Sequence, residues 1–538
     1  MKAKKVLCGA LALTLAAGLL AGCGGKNQAA KVDVDALETL TENTMPITDD
    51  SVKLSVWMDN KSQGYVKNYA DMLAFQKLKE ITGVELEFQH PTGTAAEQLN
   101  IILASKNYPD VIFSSWMDTG LKQLKNGVCL DLAPYIEKLA PNLRKVFEEK
   151  PDIKEQLLMA NGEILMFPKT VDDQKFLCYD GYFIRQDWLD KVGEKVPTTI
   201  DEWYNVLKKF RETDLNGNGQ QDEVPFSSLN WMFKEAFTSA FGFSKYEYYY
   251  DEAEGKITHA ALSPNFKAYL ETMNKWYSEK LINENFLNTN GKELDSLVLN
   301  DQLGAFYIDN NNSMPKYMQL NPDIKLTAVP YPTWNGGKNY YPNAAIIQTM
   351  RGDGAMITTS CKNVVEAVRY FDYLYSEEAS DMMNWGFEGE TYTKNADGTK
   401  QFTDLIQKNP EGKTPYEAIC KYMTNTGFAG IIQYAAANDL ESNLSDELKQ
   451  VKADSVQYAL DADKGMLLRP LKYTVEESDE KASKEADITS YVAEMTGKFI
   501  IGAEPLSNFD QFIETLKTMG IEDVIKIRQD AYDREMNK

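Results

Sequence analysis

The sequence predicts an α/β fold built on a parallel sheet, from three observations. Strand-like alternation and helical spacing take turns along residues 52–113, glycine punctuates a join, and the last strand of the run is apolar on both faces. Val52-Lys53-Leu54-Ser55-Val56-Trp57 alternates apolar and polar side chains as a half-buried strand does. Asn68 to Thr82 carries Met72, Phe75, Leu78 and Ile81 at helical spacing and closes on Gly83, a helix-ending residue. Val84-Glu85-Leu86-Glu87-Phe88 alternates again, Ala95 to Ala104 is helical, and Asp110-Val111-Ile112-Phe113 is a short strand of the buried type. Ligands on such sheets sit beyond the carboxyl ends of strands. Two exits carry tryptophan: Trp57, followed by Asp59 and Asn60, and Trp116, followed by Asp118. A lone tryptophan is ordinarily core, but two at equivalent exits beside polar groups predict a ligand cleft.

Ahead of these elements stands a leader. Lys2, Lys4 and Lys5 precede the apolar run Val6 to Leu20, which ends in Leu20-Ala21-Gly22-Cys23. A basic start, a short apolar centre and small residues before a cut make residues 1–22 a signal peptide. The run is short for a membrane span, which takes about 20 residues of helix. The small side chains before Cys23 suit a narrow peptidase pocket, and the segment resembles the bacterial lipobox. That resemblance implies cleavage before Cys23, a diacylglycerol on its sulfur, and a chain held at the extracellular face of the cell membrane, of the Gram-positive type. Residues 23–51 are polar and poor in aromatics, which predicts a lipidated cysteine followed by a disordered tether reaching roughly 30 Å.

The 538 residues are 43% hydrophobic and 11% aromatic, enough for a large core and two or more domains. The formal charge is −23, and losing a leader with three lysines and no acid takes it to −26. So anionic a chain is unsuited to nucleic acid or anionic lipid heads. Only His90 and His259 occur, so a multi-histidine metal site or histidine-based acid–base chemistry is not expected. Cys129, Cys178, Cys361 and Cys420 are widely spaced, without a CxxC pair, and admit either a disulfide or buried free thiols.

Further along, Pro197-Thr198-Thr199-Ile200-Asp201-Glu202 starts a helix, with a threonine to cap free amides and acids in the positive first turn. Trp203, Val206, Leu207 and Phe210 give it an apolar stripe. The loop Asp214-Leu215-Asn216-Gly217-Asn218-Gly219-Gln220-Gln221-Asp222-Glu223 follows directly. Side-chain oxygens stand at its positions 1, 3, 5, 9 and 10, glycine at 6, and Gln220 at 7 offers a carbonyl, the wrapping an EF-hand-like calcium loop requires. Pro225 occupies position 12, so Asp222 and Glu223 would close the shell. Ligands from one short loop fill the shell, so the Ca2+ reads as structural; an Asx- and Gly-rich surface turn is the other reading.

Trp231-Met232-Phe233, the tyrosines at 246, 248, 249 and 250, and the helix from Asn265 to Lys280 suit a second lobe. Leu303 to Ile308 is a strand entering Asp309-Asn310-Asn311-Asn312-Ser313-Met314, whose amides and carboxylate suit either sugar hydroxyls or a helix cap. Val329 to Trp334, then Asn335-Gly336-Gly337, reads as a strand end and turn near a crossing; Ala355 to Thr358 and the helix Val364 to Tyr375 re-enter the first lobe.

Asn100 to Phe113 (NIILASKNYPDVIF), Gly162 to Pro168 (GEILMFP), Tyr182 to Phe210 (YFIRQDWLDKVGEKVPTTIDEWYNVLKKF), Trp385 to Tyr392 (WGFEGETY) and the carboxyl-terminal FIIGAEPLSNFDQFIETLKTMGIEDVIKIRQDAYDR are similar to family 1 extracellular solute-binding proteins of ABC importers, the alginate- and oligosaccharide-binding lipoproteins in particular. The resemblance runs from about Val52 onward, and those relatives also close their calcium loop at positions 9 and 10. It implies a two-lobed, periplasmic-binding-protein-like α/β fold of class II with an interlobe ligand cleft. Residues 52–172 and 345–395 would form the amino-terminal lobe, and 173–344 and 396–538 the carboxyl-terminal lobe. It also implies an oligosaccharide ligand, ABC permease subunits as partners, a monomer, and no catalysis.

Sugar rings need aromatic platforms and a rim of hydrogen-bonding groups. Trp57, Trp116, Trp231, Trp334 and Trp385 are the candidates for the first role, and Asp59, Asn60, Asp118, Asp309, Asn310, Arg351 and Glu388 for the second. The rival functions are a secreted glycoside hydrolase or lyase, for which Glu388 and Glu390, two residues apart, are not read as a catalytic dyad, and a peptide-binding lipoprotein of the same fold.

Overall fold

The computed structural model describes residues 32–536, except Gln63, Asp118, Tyr246, Asn311, Asn312, Pro322, residues 343–349, Asn425, Thr426, Leu467 and Arg469. The leader, Cys23, Asp118 and the side chain of Arg351 thus lie outside the description.

The strands in chain order are β1 Val52–Met58, β2 Val84–Gln89, β3 Val111–Ser115, β4 Phe167–Val171, β5 Asp180–Arg185, β6 Val224–Ser228, β7 Tyr248–Asp251, β8 Lys256–His259, β9 Leu303–Asp309, β10 Leu326–Val329, β11 Met350–Ile357, β12 Tyr392–Lys394, β13 Lys400–Phe402 and β14 Gly430–Ile432. Two sheets carry the architecture, in the orders β14-β4-β11-β3-β1-β2 and β10-β5-β9-β6. The parallel reading holds where alternation supported it, since β1 pairs parallel with both β2 and β3. β11 then returns from far along the chain to pair antiparallel with β3 and β4, which makes the first sheet mixed.

Local chemistry explains the elements. Gly83 takes the left-handed conformation (φ 76°) and its N–H closes the helix Leu73–Thr82 on the Lys79 carbonyl. That helix begins later than its apolar spacing predicts, because Asn68 instead caps a 3-10 turn by accepting from the Ala70 N–H. Thr199 and Glu202 form a reciprocal capping box at the start of the helix Ile200–Glu212, and Trp203, Val206, Leu207 and Phe210 are all buried. Gly304 of β9 lets this helix approach: a Cβ there would lie 2.6 Å from Phe210 and 2.9 Å from Trp188.

Each sheet anchors its own core. The first gathers Leu54, Val56, Val111, Ile112, Phe167 and Met356, and the second Tyr182, Ile184, Trp203, Phe226 and Phe237. The helices Val475–Ile501, Phe509–Thr518 and Ile521–Met536 pack into the second through Ile488, Phe499, Phe512, Leu516 and Val524.

Two boundaries differ from expectation. Residues 396–444, expected with the second lobe, belong largely to the first: Phe402, Ile406, Ile419, Phe428 and Leu440 lie in its core, and β14 pairs with β4 at Gly430↔Lys169. The disordered tether expected over 23–51 does not extend across 32–51. Val34, Leu37, Leu40 and Met45 pack on the first core, the Leu40 N–H donates to Lys138 O (2.7 Å), and Arg369 donates to Asn43 Oδ1 (3.1 Å) and Ile47 O (3.2 Å). Sparse apolar residues at irregular spacing give no periodic signal, yet each finds a groove.

Cys129, Cys178, Cys361 and Cys420 are buried free thiols. Both histidines serve the backbone: His90 Nε2 accepts from the Tyr69 N–H (3.2 Å) and His259 Nδ1 from the Ala261 N–H (3.1 Å). Among the described residues no helix is long and apolar enough to cross a membrane.

Candidate ligand cleft

β4 leads into β5 through residues 172–179, so the end of the first sheet where β4 finishes faces the end of the second where β5 begins. Pairing directions then set the two rims. On the first stand the loop after β1, Trp116 after β3, the start of β11 and the end of β4; on the second stand the start of β5 and the residues after β6, β9 and β10. The chain crosses again between β10 and β11, and between β14 and the helix Asp446–Asp461. On the surface the lobes are bridged by Lys122 with Asp479 (2.6 Å) and Lys125 with Glu476 (2.8 Å).

The predicted platforms separate sharply. Trp231 is 53% exposed, on a one-turn helix (Asn230–Phe233) that continues β6 and is anchored by buried Met232 and Phe233. Trp57 is buried, and Trp116 is only 1% exposed with its indole N–H on Ile112 O (3.4 Å). Trp385 is buried with its N–H on Gln433 Oε1 (2.8 Å), and half-buried Trp334 lies 4.8 Å from the Phe241 ring. Trp57 is buried because a sheet covered by helices buries alternate strand positions on either side, and Trp116, one residue past β3, lies in the first core with Leu121 and Leu165.

The polar candidates are similarly engaged. Asn60 is buried and ties its own loop, donating to Val66 O (2.8 Å) and Lys67 O (3.2 Å) and accepting from the Ser62 N–H (2.9 Å). Asp59 pairs with Lys61. Asp309 accepts from the Ser313 N–H (3.0 Å) and hydroxyl, which is the helix-cap reading of that segment. Asn310 is fully buried and donates to Cys178 O (2.9 Å), fastening β9 to the crossing before β5. Glu388 is exposed in a turn, and Glu390 accepts from the Tyr422 hydroxyl (3.0 Å). Of the described members of the expected set, Trp231, Asp59, Asp309, Trp334 and Glu388 keep accessible surface.

Other rim residues carried no periodic signal. Tyr65 is 54% exposed in the loop after β1, beside Gly64. Lys169 of β4 pairs with Asp353 of β11 at 2.7 Å, joining neighbouring strands at the cleft end of the first sheet.

Beneath the second rim lies a buried polar box. Glu235, on the turn after the Trp231 helix, meets Lys245 Nζ at 2.9 Å through Oε1 and accepts from the Tyr307 hydroxyl at 3.3 Å through Oε2. The Tyr341 hydroxyl donates to Asp180 Oδ1 (2.6 Å) and the Tyr331 hydroxyl to Asp180 O (2.9 Å). Burial, reinforced by the neighbouring Asp180 charge and opposed by Lys245, pushes the Glu235 carboxyl up to about 7.

The loop 214–223 is wrapped inward. Asp214 accepts from the N–H groups of Gly217 (2.8 Å), Asn218 (3.1 Å) and Gly219 (2.8 Å), and Asp222 from the amides of Asn216 (3.3 Å), Asn218 (3.1 Å) and Gln302 (2.6 Å). Glu223 is buried; its Oε1 accepts from the Leu215 N–H (2.7 Å), while Oε2 has no partner. Among the described residues no three His, Cys, Asp or Glu side chains converge as a ready metal centre, since the two aspartates face amides.

Comparison with known proteins bears on this arrangement. The profile of the bacterial extracellular solute-binding proteins matches residues 61–381. The fructooligosaccharide ABC transporter substrate-binding protein FusA of Streptococcus pneumoniae is 25% identical over 99% of both chains, and lipoprotein LipO of Bacillus subtilis 23% over 96% of both. Among solved structures, FusA in complex with kestose superposes with a TM-score of 0.75 at 22% identity, covering 90% of this chain and 100% of that one. Alginate-binding protein AlgQ2 without calcium ion gives 0.73 at 24%, covering 90% of this chain and 99% of that one.

Proposed function

The chain belongs to the bacterial extracellular solute-binding protein family, and from that premise we propose that it captures an oligosaccharide between its two lobes and delivers it to the permease of an ABC importer, from a lipid anchor on Cys23 at the outer face of the cell membrane. The observation that carries the sugar reading is Trp231. Of eight tryptophans it alone is largely exposed, held on a strand exit at the cleft rim by buried neighbours. A flat aromatic face presented to solvent from a rigid support suits the CH face of a sugar ring. FusA and LipO support the ligand class and the anchor respectively, as relatives over almost the full chain.

Calorimetry with a panel of kestose, other neutral oligosaccharides, uronate oligomers and short peptides, followed by product analysis after long incubation, tests this. Heat from a sugar without new products is the expected result. Heat from peptides alone, or conversion of a sugar, would replace the reading with one of its rivals.

The same reading includes a structural Ca2+ held by Asp214, Asn216, Asn218, Gln220, Asp222 and Glu223. Its support is the oxygen-only donor spacing together with the buried, unpartnered Glu223 Oε2, a site a hard cation would satisfy. Asp222 would exchange amide donors for the ion. Excess chelator is then expected to lower the melting temperature while sugar binding persists at low temperature. An unchanged melting curve would remove the ion.

A further inference from the structure

Trp231 does not stand alone on its rim. Two residues beyond its helix, the Glu235 N–H donates to Met232 O (2.9 Å), so wherever the Glu235 carboxylate is fixed, the Trp231 turn is fixed with it. Glu235 is 3% exposed, and its carboxylate reaches Lys245 and Tyr307 of β9. The same turn is fastened at Phe237, whose N–H donates to the Tyr182 hydroxyl of β5 (2.5 Å). Asp180 begins β5 straight after one crossing, and Tyr341 precedes another, so the hydrogen bond between them joins the box to the hinge.

We propose that Glu235 is a positioning residue whose ionised carboxylate, clamped between Lys245 and Tyr307, holds Trp231 in its sugar-binding place, so that ligand affinity falls as the medium acidifies. The proposal deepens the sugar-binding reading and rests on it for the identity of the ligand. The groups facing Glu235 are Asp180 of β5, the hydroxyls of Tyr182, Tyr307 and Tyr331, Lys245, and Lys234, which itself pairs with Glu247 (3.1 Å). Burial opposes the Lys245 ammonium, but the charges of Glu235 and Glu247 hold its pKa above the ordinary lysine value. A proton on Glu235 therefore removes the main partner of a mostly buried cation, and the clamp slackens.

Linkage separates stability from affinity in this proposal. Because the folded carboxyl titrates near 7 and the unfolded one near the ordinary 4.5, its contribution to stability is present at low pH and is lost as pH rises through about 7. Sugar affinity is expected to move the opposite way, rising over the same interval.

The test has two arms on the full folded chain. Iodide quenching of Trp231 fluorescence, isolated by difference against Trp231→Phe, is followed from pH 5.5 to 8.5 without ligand. Kestose affinity is measured by calorimetry over the same range. The expected results are a quenching transition centred near pH 7, abolished in Glu235→Gln and moved to higher pH in Tyr307→Phe, and several-fold tighter kestose binding at the alkaline end. A wild type without the quenching transition, or one that Glu235→Gln and Tyr307→Phe both leave in place, overturns the proposal. A quenching transition with no heat from kestose or the rest of the panel keeps the positioning role and removes the sugar reading instead.

Discussion

Replacing Trp231 with alanine is expected to weaken sugar binding by about 2 kcal/mol, roughly thirtyfold, and to leave the melting temperature almost unchanged. Both halves follow from where the side chain lies. Its indole is more than half exposed, so truncation returns little apolar surface to water and opens no internal cavity. Met232 and Phe233, which anchor the turn, are buried and untouched. The loss should therefore fall on the bound state alone. Calorimetry against the tightest sugar of the panel, with melting curves of the free protein, checks it. Wild-type affinity in this variant would remove Trp231 from the ligand site and with it the main support for a sugar in the cleft.

Trp116→Ala is expected to do the reverse. Trp116 is almost wholly enclosed at the end of β3, donates to Ile112 O, and lies with Leu121 and Leu165 in the first core. A Cβ added at Gly120 would lie 3.5 Å from the Trp116 Cβ and 2.6 Å from Leu165, so the local packing is close. Truncating such a residue costs about 3–5 kcal/mol, through lost burial and a cavity the surroundings cannot fill. Denaturant unfolding should register that loss, while the molecules that remain folded bind sugar as the wild type does. A variant that unfolds normally but fails to bind would return Trp116 to the cleft.

The contrast between these two tryptophans marks what was legible in the sequence. Strand alternation, the Gly83 terminus and the Thr199 capping box depend on neighbours within a few residues, and they were readable. Which tryptophan faces solvent depends on helices that cover the sheet from far along the chain, and residue type alone made Trp231 and Trp116 equal candidates for a platform. The same limit applies to lobe boundaries. Residues 396–444 are claimed by the first lobe through the pairing of Gly430 with Lys169, a contact across hundreds of residues that leaves no periodic trace. Asp309 was open to two readings because one carboxylate serves a sugar or a helix equally well, and its Ser313 contacts are those of the cap. The box around Glu235 was invisible, since β5, β9, the Trp231 turn and the Tyr331 and Tyr341 segments each contribute only one or two of its members.

The four buried thiols have a consequence for the life history of the chain. On the proposed placement outside the cell, the chain meets an oxidising medium before these four thiols are buried. Folding withdraws Cys129, Cys178 and Cys361 into surroundings that push them up to about 12, where almost none of the reactive thiolate exists at neutral pH. The folded molecule then needs neither an oxidase to complete it nor a reductase to repair it. Its exposure to mispairing is confined to the interval before folding, and the rate at which a thiol reagent labels it afterwards is a clock for how often the cores around these thiols open.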